Sequence, residues 1–169
     1  MNTTEDVTLN LNGINLTSKT DSPISVVQAG VFILHLANKC KNYISDTEAN
    51  TLDGVINVKK TNLNIVGEGY LYVTSLGIVS DTIESGKGIY TSKNLVINNT
   101  HIKVLLFDDH AIDGKTEVSI TDSKVIAVSK ADGVHSKAGS VEIADSIISL
   151  GTYGDGTDSA VSTTVTGST

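Results

Sequence analysis

The sequence has no arginine and no tryptophan, a single proline and a single cysteine, and only 4% of its 169 residues are aromatic. Each absence excludes something. Without guanidinium groups there is no bidentate reader of phosphates or bases, and the net charge of -7 supplies no positive field, so a nucleic-acid partner is not expected. The same absence removes any enzyme mechanism that depends on arginine. Cys40 stands alone, so no internal disulfide can form, and it is expected as a small buried apolar residue rather than a reactive thiol. No apolar run reaches the roughly eighteen residues of a membrane span. The first six residues, Met1 to Asp6, are polar and lack the apolar core of a signal peptide, so the chain reads as cytosolic or as a mature fragment.

What is present is Val, Ile and Leu set among Ser, Thr, Asn and Gly, a mixture that favours strands and turns over helices. Asn2, Asn15 and Asn98 fit the Asn-x-Ser/Thr sequon, as chance allows in so Asn- and Thr-rich a chain. Self-comparison is more informative. Asp53-Gly54-Val55, Lys87-Gly88-Ile89, His110-Ala111-Ile112 and Asp132-Gly133-Val134 begin similar segments, and Asp155-Gly156-Thr157 begins another. Ile89, Ile112, Val134 and Thr157 recur at intervals of 23, 22 and 23. The step of 34 from Val55 to Ile89 is one period plus an insertion, placed within Ser75 to Gly86. Each start is followed by an alternating pair (Leu63/Ile65, Leu95/Ile97, Val118/Ile120, Val141/Ile143) and then by a second (Leu71/Val73, Ile102/Val104, Val125/Ala127, Ile148/Leu150). Val7 to Leu16 has the same shape. Ile24 and Val26 open a further unit, followed by Ile33/Leu34.

The spacing within these runs is i, i+2, not the i, i+3/i+4 of a helix. Three short strands in each such period describe one coil of a right-handed, single-stranded parallel β-helix with three sheets. About seven coils fit, a rod of roughly 35 Å at about 4.8 Å per coil. Residues 1–169 read as a single all-β domain and as a piece of a longer solenoid. An up-and-down β-sandwich is the alternative, and Asn12-Gly13 its one hairpin signal.

A solenoid turns sequence period into columns. Asp109, Asp132 and Asp155 form an acidic one, with Asp53 further up and Asp108, Asp113 and Asp158 beside it. Stacked carboxylates repel unless paired or bridged, and Ca²⁺ takes six to eight oxygen ligands. The same Asp residues are equally ordinary turn formers. Lys93, Lys115 and Lys137, spaced by 22 and 22, form a basic column. It suits the carboxylates of an acidic polysaccharide, or simply neutralises the Asp column and keeps an edge soluble. Tyr90, Asp113 and His135 each follow an inward aliphatic residue and should point outward as an exposed strip for sugar rings. Tyr70 and Tyr72 flank Leu71 as a second small platform. His110 is a candidate metal or sugar contact, whereas His35 and His101 read as isolated surface residues.

Lys87-Gly-Ile-Tyr-Thr-Ser-Lys-Asn-Leu-Val-Ile97, Asp108-Asp-His-Ala-Ile-Asp-Gly-Lys-Thr-Glu-Val-Ser-Ile120 and Ala131-Asp-Gly-Val-His-Ser-Lys137 resemble the clostridial carbohydrate-binding domain-containing proteins. Their pattern is roughly G-I-x-S-K-D-D-L-x-I, D-D-G-I-K-G-K-D-S-V-x-I and G-D-G-I-K-S. The likeness runs from about Ile24 to Gly156. It implies a pectate-lyase-like parallel β-helix, bound calcium, and binding of cellulose or acidic sugars at the cell surface. Carried over to this chain, it implies Asp108, Asp109, Asp132 and Asp155 as calcium positions. Ala111 replaces the usual Gly, His110 intrudes before it, and Asp113 and His135 stand where the family often has Lys.

A lyase of this shape needs a strong base near calcium, usually Arg. Lys115 or Lys137 would serve only with a pKa lowered by burial. The expectation is therefore non-catalytic binding of an acidic polysaccharide or cellulose on a calcium-stabilised surface. Polyuronate cleavage and a structural or adhesin repeat are the alternatives.

Overall fold

The computed structural model describes residues 1–46, 54–75 and 86–169. The chain winds through successive coils of three strands. The first holds β1 (Val7–Leu11), β2 (Asn15–Ser18) and β3 (Ile24–Val26), and the second β4 (Val31–Leu36), β5 (Lys41–Asp46) and β6 (Gly54–Val58). The third holds β7 (Asn62–Val66), β8 (Tyr70–Ser75) and β9 (Lys87–Thr91), and the fourth β10 (Asn94–Asn98), β11 (His101–Phe107) and β12 (Ile112–Gly114). The fifth holds β13 (Glu117–Thr121), β14 (Lys124–Ser129) and β15 (Val134–Ser136). The sixth holds β16 (Val141–Ala144), β17 (Ile147–Thr152) and β18 (Thr157–Ser159), and β19 (Thr163–Thr166) follows.

Every third strand pairs, always in parallel. The first sheet runs β1-β4-β7-β10-β13-β16-β19, the second β2-β5-β8-β11-β14-β17, the third β3-β6-β9-β12-β15-β18. This is a parallel β-helix, as the period-2 runs imply. Among the described residues no helix is long and apolar enough to cross a membrane.

The alternating pairs become interior ladders. Phe32, Leu63, Leu95, Val118 and Val141 stack in one, and Leu34, Ile65, Ile97, Ile120 and Ile143 in the next. The second sheet contributes Ile44, Val73, Val104 and Ala127, and the third Ile24, Ile56, Ile89, Ile112 and Val134. All of these are buried. Aliphatic residues in register fill a narrow interior without aromatic bulk, and removing this surface from water is the main favourable term.

Polar side chains stitch the coils where the strands turn. Asn42 is buried. Its Oδ1 accepts the N–H groups of Gly13 (2.9 Å) and Ile14 (3.2 Å), and its Nδ2 donates to the Tyr70 carbonyl (3.1 Å). The corner from the first to the second sheet repeats more regularly. Asn99, Asp122 and Asp145 adopt φ of 51°, 48° and 50°, a left-handed conformation that Asn and Asp tolerate. The next residues form a ladder of hydroxyls. Thr100 N–H donates to Ser123 Oγ (3.2 Å), Ser123 N–H to Ser146 Oγ (3.1 Å), and Ser146 N–H to Ser168 Oγ (3.1 Å). The sequon at Asn98 is part of this corner, with Thr100 buried.

Three expectations need correction. Ile56, not Val55, lies level with Ile24 and Ile89, because the second coil enters the third sheet one residue later than its Asp-Gly start suggests. In β4 the inward residues are Phe32, Leu34 and Leu36, so Ile33 alternates outward. Cys40 is half-buried, its Sγ 3.0 Å from Asn12 Oδ1, because it sits in the turn before β5 rather than in the core. The proposed insertion falls between β8 and β9, where residues 76–85, like Asp53, lie outside the described residues.

Two substitutions test this construction by urea unfolding. Ile112→Ala should cost about 3 kcal/mol through the cavity left in its ladder. Ser123→Ala should cost about 1 kcal/mol by leaving the Thr100 N–H without its acceptor.

Candidate functional site

The third sheet presents an outward row one residue after its aliphatic ladder. Tyr90, Asp113 and His135 are direct register partners, and Asp158 continues the row. The turn before each of these strands supplies a second row. Ile112 pairs with Val134, so His110 lies level with Asp132; Gly133 N–H bonds the Asp155 carbonyl, which places Asp155 level with Asp132 in turn. Lys87, two residues before Ile89, lies level with His110. Asp109 therefore stands one residue off the column expected for it. The coil between Ile112 and Val134 is shorter by one than its neighbours, and this puts an imidazole beside Asp132.

The two rows interlock. Lys87 Nζ is 2.7 Å from Asp113 Oδ2 and 3.6 Å from Asp109 Oδ2, and it lies 4.8 Å from the centroid of the Tyr90 ring. His135 Nδ1 is 3.1 Å from Asp113 Oδ1, and its Nε2 is 3.7 Å from Asp158 Oδ2. His110 Nε2 is 3.3 Å from Asp109 Oδ1, and its Nδ1 is 3.1 Å from Asp132 Oδ2. The His110 and His135 rings stack with centroids 3.9 Å apart and planes 10° from parallel. Asp109 also accepts the His110 N–H (2.8 Å), and Asp132 the Asp155 N–H (2.8 Å). Asp108 pairs with Lys130 on the next coil.

Burial decides the electrostatics. The Asp113 side chain is 3% exposed, so its charge requires a partner, and Lys87 provides it. Burial opposes the Lys87 charge, but the hydrogen bond and attraction of Asp113, with smaller help from Asp109, prevail and raise its pKa above 10.5. His110 is held below its ordinary 6.5. Burial outweighs the pull of Asp109, and the neighbouring His135 acts in the same sense as burial.

The expectation of an exposed Tyr90–Asp113–His135 strip is therefore corrected. The three do share a row, but Asp113 is buried and the other two are half-buried, covered by the ion-pair network. Lys93, Lys115 and Lys137 are exposed at the corner between the third and first sheets. The Lys93 carbonyl accepts the Thr116 N–H, and the Lys115 carbonyl the Ala138 N–H, so the three stand on successive coils side by side. They form no ion pair with the Asp rows among the described residues. Among the described residues, Asp108, Asp109, Asp132 and Asp155 do not all converge on one point. Two of them face ammonium groups, and the set of donors that does converge, His110, Asp132 and His135, is two-thirds imidazole.

A second surface lies on the outer face of the second sheet. Tyr43 stacks on Tyr72, and Tyr70 on His101, each pair with centroids 4.8 Å apart. These are register partners, and the rows continue into Lys103 and Lys124. A shallow depression of about 340 Å³ is lined by Tyr70, Tyr72, His101, Lys103, Lys124 and Ile126 among others. Sequence reasoning found Tyr70 and Tyr72. It missed Tyr43, because the earlier coil is longer and the step from Tyr43 to Tyr72 falls outside the period of the later coils. It also set His101 aside, though its ring stacks on Tyr70. Lys87 could have been found by extending the His110 column one period back.

These features define a class: a parallel β-helix whose outer faces carry polar and aromatic rows built across coils. The chain belongs to the carbohydrate-binding domain-containing protein family, whose model matches residues 1–169. The polysaccharide lyase-like protein from C. thermocellum, solved as a gadolinium derivative, has the same fold. Its TM-score is 0.67 at 16% identity, over 94% of this chain and 75% of that one. No curated protein matches the sequence.

Lys87→Met should destabilise the fold by about 3 kcal/mol, because it removes the cation from a buried carboxylate and leaves only the His135 imidazole beside it. Adding Asp113→Leu should restore most of the loss, and a double-mutant cycle read by urea unfolding checks the coupling. The ammonium titrates above 10.5 in the folded state, so its contribution is complete below that pH and is lost only above it.

Proposed function

We propose that this chain binds a polysaccharide without cleaving it, along the aromatic face of the second sheet. The carrying observation is the pair of ring stacks, Tyr43/Tyr72 and Tyr70/His101, running directly into Lys103 and Lys124. Each ring stack leaves its outer faces, edges and Tyr hydroxyls for contact with pyranose rings, and the lysines add contacts for uronate carboxylates. An acidic polysaccharide fits this face better than cellulose, which has no charge for the lysines to meet. Membership of a carbohydrate-binding family supports the same reading. A polysaccharide partner also favours a location outside the cell or at its surface.

The exposed ladder of Lys93, Lys115 and Lys137 is a second acid-sugar contact in this proposal, and Tyr90 and His135 lie behind it. Asp113 is too buried to touch a sugar, and its part is to hold Lys87. The reading as a binder rather than a lyase is supported by the state of Lys87. A base for β-elimination must release its proton near neutral pH, and this lysine, the best buried candidate, holds its proton more firmly than a free one.

Affinity electrophoresis through polygalacturonate should retard the protein, with retardation weakening as salt rises. Tyr72→Ala and Lys103→Ala should each weaken binding about tenfold. Retention unchanged by these variants but lost when Lys93, Lys115 and Lys137 all become Ala would move the site to the ladder. Appearance of unsaturated uronate absorbing in the ultraviolet would make the protein a lyase. Calcium is tested separately. A rise in melting temperature with Ca²⁺ that Asp132→Asn or Asp155→Asn abolishes assigns the ion to that pair, and no rise removes calcium from the reading.

A further inference from the structure

We propose that His110, Asp132 and His135 bind a divalent ion of the zinc or nickel class, at a site separate from the aromatic face and independent of the polysaccharide reading. One nitrogen from each imidazole and one Asp132 oxygen lie within 4.8 Å of one another. His110 Nδ1 and Asp132 Oδ2 are 3.1 Å apart, a separation that two ligands on one ion can adopt when each bond is about 2.0–2.2 Å. Two imidazole nitrogens and a carboxylate oxygen suit zinc, nickel or copper. Calcium prefers an all-oxygen set.

The surrounding carboxylates identify which nitrogens face the ion. Asp109 Oδ1 lies 3.3 Å from His110 Nε2, and Asp113 Oδ1 is hydrogen-bonded to His135 Nδ1 at 3.1 Å. Asp113 is itself fixed by Lys87 at 2.7 Å. A carboxylate on the far nitrogen of each ring sets its orientation and raises its basicity as a ligand. His110 Nδ1 and His135 Nε2 remain for the metal. Asp158 is exposed and 3.7 Å from His135 Nε2, outside the converging trio. The Asp132 N–H now donates to His110 Nδ1 at 3.2 Å, and the two rings lie almost parallel. Binding exchanges that hydrogen bond for a metal bond.

The test uses the full chain, stripped with chelator, titrated calorimetrically with ZnCl₂ and, in parallel, with CaCl₂. One equivalent of zinc should bind, raise the melting temperature, and outcompete calcium. His110→Gln and His135→Gln should each weaken zinc at least tenfold, Asp109→Asn about tenfold, and Lys103→Ala not at all. Should a histidine variant fail to fold, the unaltered chain still decides. The ring-proton resonances of His110 and His135 should shift on adding zinc, while those of His35 and His101 stay in place. Absence of saturable zinc binding, zinc binding indifferent to both histidines, or shifts confined to His35 or His101 would each overturn the proposal.

Discussion

The backbone register between coils is the constraint on which everything else rests. Once each strand pairs in parallel with the strand three places on, residues one coil apart are fixed about 4.8 Å from each other. Inside, this makes like meet like. A ladder of Ile89, Ile112 and Val134 packs because each member has a similar width. Outside, the same rule forces charged residues into contact with their counterparts above and below. A column of identical carboxylates would repel along its length; the row Tyr90, Asp113, His135, Asp158 separates its acids with an imidazole, and the row Lys87, His110, Asp132, Asp155 sets a cation and an imidazole before its two adjacent acids. The result is a hydrogen-bonded and ion-paired network in which Lys87 and two imidazoles separate several of the carboxylates, and which stays net acidic.

The period and the ladders were legible in the sequence because they depend on repeated chemistry. Val118/Ile120 and Val141/Ile143 look alike and land in register. The columns were less legible because coils that differ in length by a single position read almost identically yet shift the outer rows by one. That single step separates Asp109 from Asp132 and puts His110 in its place. Burial was hidden for a related reason. Alternation correctly turns Asp113 away from the core, but it does not say that Lys87 and His135 will fold over it. The hydroxyl corner had a plain signal, Asn99-Thr100, Asp122-Ser123, Asp145-Ser146 and Gly167-Ser168, which passes as ordinary turn composition until the coils are aligned.

The two candidate surfaces occupy different sheets and draw on different physics. On the second sheet, Tyr43, Tyr72, Tyr70 and His101 offer exposed and half-buried ring faces with lysines beside them, a surface for a long flexible ligand that contributes many weak contacts. On the third sheet the groups are close, partly buried and mutually satisfied, an arrangement suited to a small ion and poorly suited to a sugar. The family match spans the whole chain and singles out neither face, whereas the donor chemistry of this particular chain bears on the second.

The corner built on Asn99, Asp122 and Asp145 has a further consequence. From the fourth coil onward, each coil supplies the one before it with a single hydroxyl acceptor, so a complete turn there carries its own connector. Genetic gain or loss of one whole turn within this stretch would leave its junctions chemically equivalent, whereas an indel of a few residues inside a strand would throw all later rows out of step. Descendants of such a sequence are thus expected to differ in size by multiples of one winding.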